Sequence, residues 1–368
     1  MNKLRYFIDI LKEEPPLIQL VWMLSCVLFV IIIILIIYLK FLRTHLRLNE
    51  KTVEKYKNEY ESKLITYLYS GNEEDEISSE QQSVVSELKN CAINKFKREI
   101  IVSTLLKLLS EISGEMAESI QNLYQQTALK NYAIAKLKNR DWHIIAEGIR
   151  ELSLFHVKDA YKEVEKHVNH PKREVRKEVQ LYLVNLFRFK GLSFLNDLKT
   201  PLSEWDQIQL LEELQKFEDQ EIPDITLWLR STNDYVVIFA LKLVKIYNQF
   251  GMKEVLIDLL NHQSEKVQIE LIPVLNHLYI VEAKEVLKSN FNERSKDEQI
   301  EFFKLLENLA DVNDEQLILQ HIYNEDFEIR LSALKILKAI NPNKFESIEL
   351  THPESEFVEM VKFIKNNY

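Results

Sequence analysis

A helix-sized pattern returns seven times at an almost constant interval, and this constrains the fold more than any other feature of the chain. Its first core position falls at Ile144, Val175, Asp206, Val236, Val267, Glu298 and Ile329, with steps of 31, 31, 30, 31, 31 and 31 residues. Four places on stand Gly148, Val179, Leu210, Ala240, Leu271, Phe302 and Ala333. Eight places on stand Leu152, Leu183, Leu214, Val244, Leu275, Leu306 and Leu337. Spacings of four and eight put these side chains on one helical face.

The helix starts are marked too. Three places before each first position stand Asp141, Lys172, Ser203, Asn233, Ser264, Ser295 and Asp326. Six of these carry a side-chain oxygen able to accept from the unpaired amides of a first turn. Behind Pro171, Lys172 is the exception, and the cap there is expected to move upstream. Each unit closes with a second apolar segment, such as GLSFLNDL, GMKEVLIDLL or NDEQLILQHI. Gly191 and Gly251 lie between the two segments, where a left-handed residue is expected to end the first helix. A helical pair of this size cannot bury its apolar face alone, so the pattern predicts an all-α solenoid of stacked hairpins over 141–350. The units resemble short HEAT-like repeats, whose consensus runs D-x-x-V-R-x-x-A-x-x-x-L. The arginine after the valine is present as Arg176 and Arg330.

Ahead of the repeats lies VWMLSCVLFVIIIILIIYL, inside a stretch from Pro15 to Leu39 without a charged residue. Residues 17–39 as a helix would reach about 35 Å, enough for a hydrocarbon core of about 30 Å. The soluble alternative is a buried core helix, but 31–37 has no polar face and the run is too long for one. Lys3, Arg5 and Lys12 precede the run, whereas Lys40, Arg43, Arg47, Lys51, Lys55 and Lys57 follow it. This asymmetry predicts an extracytoplasmic tail at 1–16, a spanning helix at 17–39 contacting lipid, and a cytoplasmic remainder, with Lys40, Arg43 and Arg47 flanking the membrane.

Residues 40–82 are expected to form a juxtamembrane helix and then the acidic loop GNEEDEISSEQQ. Residues 83–140 hold helical runs off the 31-residue register and predict an irregular N-terminal cap for the array. Residues 351–368 would cap the other end. The stretch GEMAESIQNLYQQTALKNYAIAKLKNRDW resembles HEAT-repeat membrane proteins that accompany glycosyltransferases in Bacteroidetes-like bacteria. That resemblance implies a bacterial inner membrane and an accessory role beside a polysaccharide-assembling enzyme.

The chain has only five glycines, too scattered for a phosphate loop or a hydrolase elbow. Its two cysteines, Cys26 and Cys91, make neither a disulfide framework nor a thiolate metal site. Glu163, His167 and His170 share a helical face able to approach a divalent ion, but no HExxH accompanies them. None of the nine histidines precedes a glutamate, which excludes the His-Glu ligand set of HEAT-like di-iron hydroxylases. Lys and Arg number 19 against 13 Asp and Glu over 91–200, but 17 against 31 over 201–368. An acidic second half repels nucleic acid. The local basic cluster Lys172, Arg173, Arg176 and Lys177 is instead a candidate contact for an acidic partner or lipid headgroups.

No catalytic, cofactor or metal residue is assigned. The expected role is a non-enzymatic, membrane-anchored scaffold that binds a protein partner along its repeats. The alternatives are an accessory subunit of a membrane enzyme, or a lyase-type cofactor-handling protein like the HEAT-like bilin lyases.

Overall fold

In the computed structural model, residues 15–70, 78–217, 222–351 and 355–367 are described. Most of the expected tail, 71–77 of the acidic loop, and residues 352–354 and 368 of the last segment lie outside them. The described residues are helical, without a strand. The chain divides into two compact units between Ala133 and Ile134.

In the first unit, helix α1 (Pro16–Tyr69) runs unbroken for 54 residues, or about 80 Å. Pro15 caps it in an extended conformation and Pro16 fills its first turn, where no amide partner is needed. Four helices follow: α2 (Ser79–Cys91), α3 (Lys95–Glu111), α4 (Glu115–Gln126) and α5 (Leu129–Lys136). Only the distal part of α1 packs on them. Tyr60, Leu64 and Tyr67 are buried, as are Val84 and Leu88 of α2, Ile101 and Leu105 of α3, and Leu123 and Tyr124 of α4. Residues read from sequence as two segments, a juxtamembrane helix and a separate cap, therefore share one core, because Tyr60, Leu64 and Tyr67 lie on one face of α1. The acidic loop also ends earlier than expected. Ser78 caps α2 in a reciprocal arrangement with Gln81, so 79–82 is helix.

In the second unit long helices alternate with short ones. The order is α6 (Trp142–Leu154) with α7 (Tyr161–Glu165), then α8 (Arg173–Phe187) with the 3-10 run Arg188–Asp197, then α9 (Glu204–Gln215) with α10 (Thr226–Leu229). It continues with α11 (Asp234–Ile246) and α12 (Lys253–Asp258), α13 (Glu265–His277) and α14 (Glu282–Ser289), α15 (Lys296–Leu309) and α16 (Glu315–His321). The last elements are α17 (Phe327–Ile340), α18 (Pro342–Thr351) and α19 (Ser355–Asn367). The long helices stack on their successors: α6 on α8, α8 on α9, α11 on α13, α13 on α15, and α15 on α17.

The expected core register holds. All residues at the second and third positions are buried, as are the first positions except Ile144, where Ile145 is buried instead. All seven marked residues are the N-caps of their helices. Ser203, Asn233, Ser295 and Asp326 accept amide bonds there. The cap at Lys172 does not move upstream. Its own amide donates to His170 Nδ1, which fixes the chain entering the helix without a side-chain cap.

The glycines behave differently from expectation. The left-handed residues after the long helices are His156, Arg188, Asn248 and Tyr279, with φ of 52°, 57°, 49° and 53°. Neither Gly191 nor Gly251 has positive φ. Gly191 is required for another reason: a Cβ there would lie 2.1 Å from the Leu183 carbonyl oxygen, so the 3-10 run could not lie against α8.

Candidate functional site: the repeat rims and the exposed apolar helix

Within the second unit, the connectors entering the long helices are tied down in two ways, and those before α8, α13 and α17 carry both. Asn139 Oδ1, His170 Nδ1, Ser231 Oγ, His262 Nδ1 and Asn324 Oδ1 each accept from the N-cap amide two residues on, at 2.9 to 3.2 Å. The residue after the first core position then reaches back to the connector. Arg176 donates to the His170 carbonyl (2.8 Å), Gln207 to Leu202 (3.1 Å), Gln299 to Arg294 (3.1 Å) and Arg330 to Asn324 (3.1 Å), and Gln268 donates to His262. The glutamines thus do what the two consensus arginines do, without the charge. The equivalence is readable in the alignment of units, but nothing in sequence says that the arginine makes a backbone bond here rather than offering a charge.

The same geometry gives two of the four basic residues partners within the fold, although the Arg173 side chain stays 53% exposed. Arg173 forms a two-pronged pair with Asp206, at 3.0 and 3.3 Å, and bonds Ser203 Oγ at 2.9 Å. Burial pushes the Asp206 carboxyl up, but Arg173 and Ser203 outweigh it and hold the group below its ordinary value. Arg176 is occupied by the His170 and Pro171 carbonyls. Only Lys172 and Lys177 of the four keep ammonium groups outside these bonds. Arg173 therefore braces one repeat to the next.

Similar braces recur along the unit. Arg150 pairs with Glu178, Lys253 with Glu282, Lys296 with Asp326 and Lys344 with Glu315. The most enclosed brace is Lys284, whose side chain is 3% exposed and reaches Asp311 (2.6 Å) and the fully buried Asp314 (2.8 Å), which Lys288 also contacts. Burial pushes the Lys284 ammonium down, and the two aspartates more than reverse this, raising it above its usual value.

Two concavities lie on the side where the long helices begin. One, about 340 Å³, is lined by Arg173, Trp205, Tyr235, Ile238 and Lys266. The other, about 740 Å³, lies between the connectors at 229–234 and 255–264 and includes Arg230, Asp258 and His262. Glu163 of the candidate metal face turns to Lys166 at 2.9 Å, and no group of three metal-ligating side chains occurs among the described residues.

In α1, Leu20–Thr44 is long and apolar enough to cross a membrane, and none of its most apolar stretch is buried in protein. Lys40, Arg43 and Arg47 are exposed at its distal end. That span overlaps the charge-free 17–39, and its last five residues include Lys40 and Arg43.

No protein-family model matches this chain, and no curated protein does. Among solved structures, a crystal structure of an engineered protein from the Northeast Structural Genomics Consortium is 17% identical, covering 84% of this chain and 98% of its own, with a TM-score of 0.37. That superposition is too loose to assign a topology.

Proposed function

We propose that this protein is a single-pass, membrane-anchored scaffold whose second unit is a HEAT-like α-solenoid that binds a protein partner. The observation carrying this reading is the packing of long helices at a constant sequence interval, with ion pairs bracing one repeat to the next. Such an array presents the same surface position again and again on a rigid frame, which suits recognition of an extended partner. The exposed apolar segment Leu20–Thr44 supports a bilayer anchor. The greater number of basic residues after it supports a cytoplasmic second unit and an outer N-terminus. We place it in a bacterial inner membrane on the sequence resemblance above.

Tethering confines such a surface to one membrane and raises its effective concentration toward partners there. The test is crosslinking in intact membranes followed by purification in mild detergent. A soluble protein captured in fixed ratio supports the scaffold. A stoichiometric integral-membrane enzyme would instead make the chain an accessory subunit, and absence of any saturable partner would sink the reading.

A further inference from the structure

The turns that follow the long helices α11, α13 and α15 carry large apolar side chains that no core receives. Phe250 is 63% exposed, Tyr279 66%, Val281 50% and Val312 70%. They occupy similar places, twelve or fourteen residues beyond the first core positions Val236, Val267 and Glu298, so they recur in three successive repeats.

These turns form a continuous rim. His277 Nε2 lies 2.8 Å from Asn248 Oδ1, and Lys253 pairs with Glu282, which joins the first turn to the second. Lys284 bonds Asp311 and the Leu309 carbonyl, which joins the second to the third. The rim's polar groups are thus largely consumed by one another, and the apolar side chains are what remains projecting. Tyr279 adds a second observation. It holds a left-handed backbone (φ 53°), which a bulky L-residue adopts only at a cost, while two-thirds of its surface faces outward. The same backbone recurs at His156, Arg188 and Asn248, so the turn sets it, and what distinguishes Tyr279 among them is a large aromatic ring left exposed where glycine or asparagine would be less strained.

We infer that the rim formed by Phe250, Tyr279, Val281 and Val312 is a docking surface for a basic amphipathic helix of another protein. Stacked helices lie about 8–10 Å apart, close to the ~10.5 Å between positions i and i+7 of an α-helix. A helix of about fifteen residues would therefore set one apolar side chain against each of the three turns. Charge selects a basic one. Residues 201–368 carry 31 Asp and Glu against 17 Lys and Arg, and Glu254 is exposed beside the rim, as is Glu285, which pairs with Lys288 at 3.2 Å. The same negative field disfavours an anionic membrane as the occupant.

This rests on the scaffold reading and names its surface. The test uses the full-length protein in nanodiscs of zwitterionic lipid. The probe is a labelled fifteen-residue helix with leucines at positions 1, 4, 8, 11 and 15 and lysine or arginine between them. Its controls are a counterpart with glutamates in the basic places and a scrambled peptide. The expected result is saturable binding of the basic helix, weakened tenfold or more in F250S/Y279S and threefold or more in Tyr279→Gly, whose melting temperature is unchanged or raised. Equal binding by the scrambled peptide, or by the variants, would overturn the rim. So would binding of the wild type to phosphatidylglycerol vesicles that the same substitutions abolish, because the rim would then be a lipid contact. In parallel, the crosslinked partner is followed in F250S/Y279S. Loss of capture places it on the rim, whereas undiminished capture removes the rim and leaves the scaffold standing.

Discussion

Helix α11 and the Leu20–Thr44 stretch of α1 are both written almost entirely in apolar residues, and they meet opposite fates. In α11 every residue from Val236 to Leu241 is buried. In α1 the isoleucines at 31 to 34 are 42–59% exposed, and no protein covers the stretch. Composition alone does not separate the two. What separates them is length and neighbours: α11 is a thirteen-residue helix between capped repeats of the same register, whereas the α1 stretch is longer than a repeat helix and has no periodic partner. An apolar helix is buried by protein only if the chain supplies the faces that bury it. Among the described residues nothing supplies such a face for the α1 stretch, which is long and apolar enough to cross a membrane.

Several perturbations would break or sharpen that contrast. The largest effect is expected from Leu275→Asp, which puts a charge at a fully buried core position shared by neighbouring repeats. A loss of about 4 kcal/mol or more follows from an unpaired buried charge, read as collapse of the cooperative denaturation transition. The matching change in the other region, Ile32→Arg with Ile36→Arg, should leave helicity and repeat stability untouched. It should instead release the protein into an alkaline carbonate wash, since each charge at mid-membrane costs about 3 kcal/mol. Persistence in the membrane pellet would remove the anchor.

Next in size is Lys284→Met. Asp314 would stay buried with only Lys288 still beside it, and breaking a buried pair from one side costs about 3 kcal/mol. The double change with Asp314→Leu should recover most of the loss, because no buried charge is then stranded. A double variant as unstable as the single one would show that the pair matters through shape rather than charge. Gln268→Ala removes a side-chain bond to the His262 carbonyl and should cost about 1 kcal/mol, whereas Gln268→Arg, which restores the consensus residue, should cost nothing. Urea midpoints of the two variants check this.

The smallest effect is that of pH. Lys253, Lys284, Lys344 and Lys296 hold the carboxyls of Glu282, Asp311, Glu315 and Asp326 below their ordinary values. A depressed folded value means that the stabilisation is complete above the unfolded carboxylate range, about pH 4. It disappears as pH falls through the lower, folded values. Burial also holds the His156 and His167 imidazoles below their ordinary value, so the urea midpoint should begin to fall below about pH 6.5 and decline further below about pH 5 as these carboxyls take up protons. In the variant lacking Lys253, Lys296 and Lys344 the decline should be shallower. An unaltered acid limb would show that these braces do not act between repeats.

Much of this is legible in the sequence. Valine or leucine at the eighth place is buried in every unit, the marked residues are all N-caps although Asp141 and Ser264 accept no amide bond, and the charge-free run lies in an exposed helix. The misses are of another kind. Gly191 reads as a helix terminator and is instead a point of close approach to Leu183, while the left-handed turns fall to His156, Arg188, Asn248 and Tyr279. Arg173 and Arg176 read as an available patch and are occupied by Asp206 and two carbonyls.

The sequence by itself determined the helices, their starts, their buried faces and, among the described residues, the stretch long and apolar enough to cross a membrane, because each depends on residues within a turn or two of one another. Tertiary structure alone decided which charges are internal braces, which glycine is indispensable and which apolar side chains remain on the rim. Most of those outcomes join residues about thirty positions apart, and only the stacking of one helix on the next brings such residues within reach.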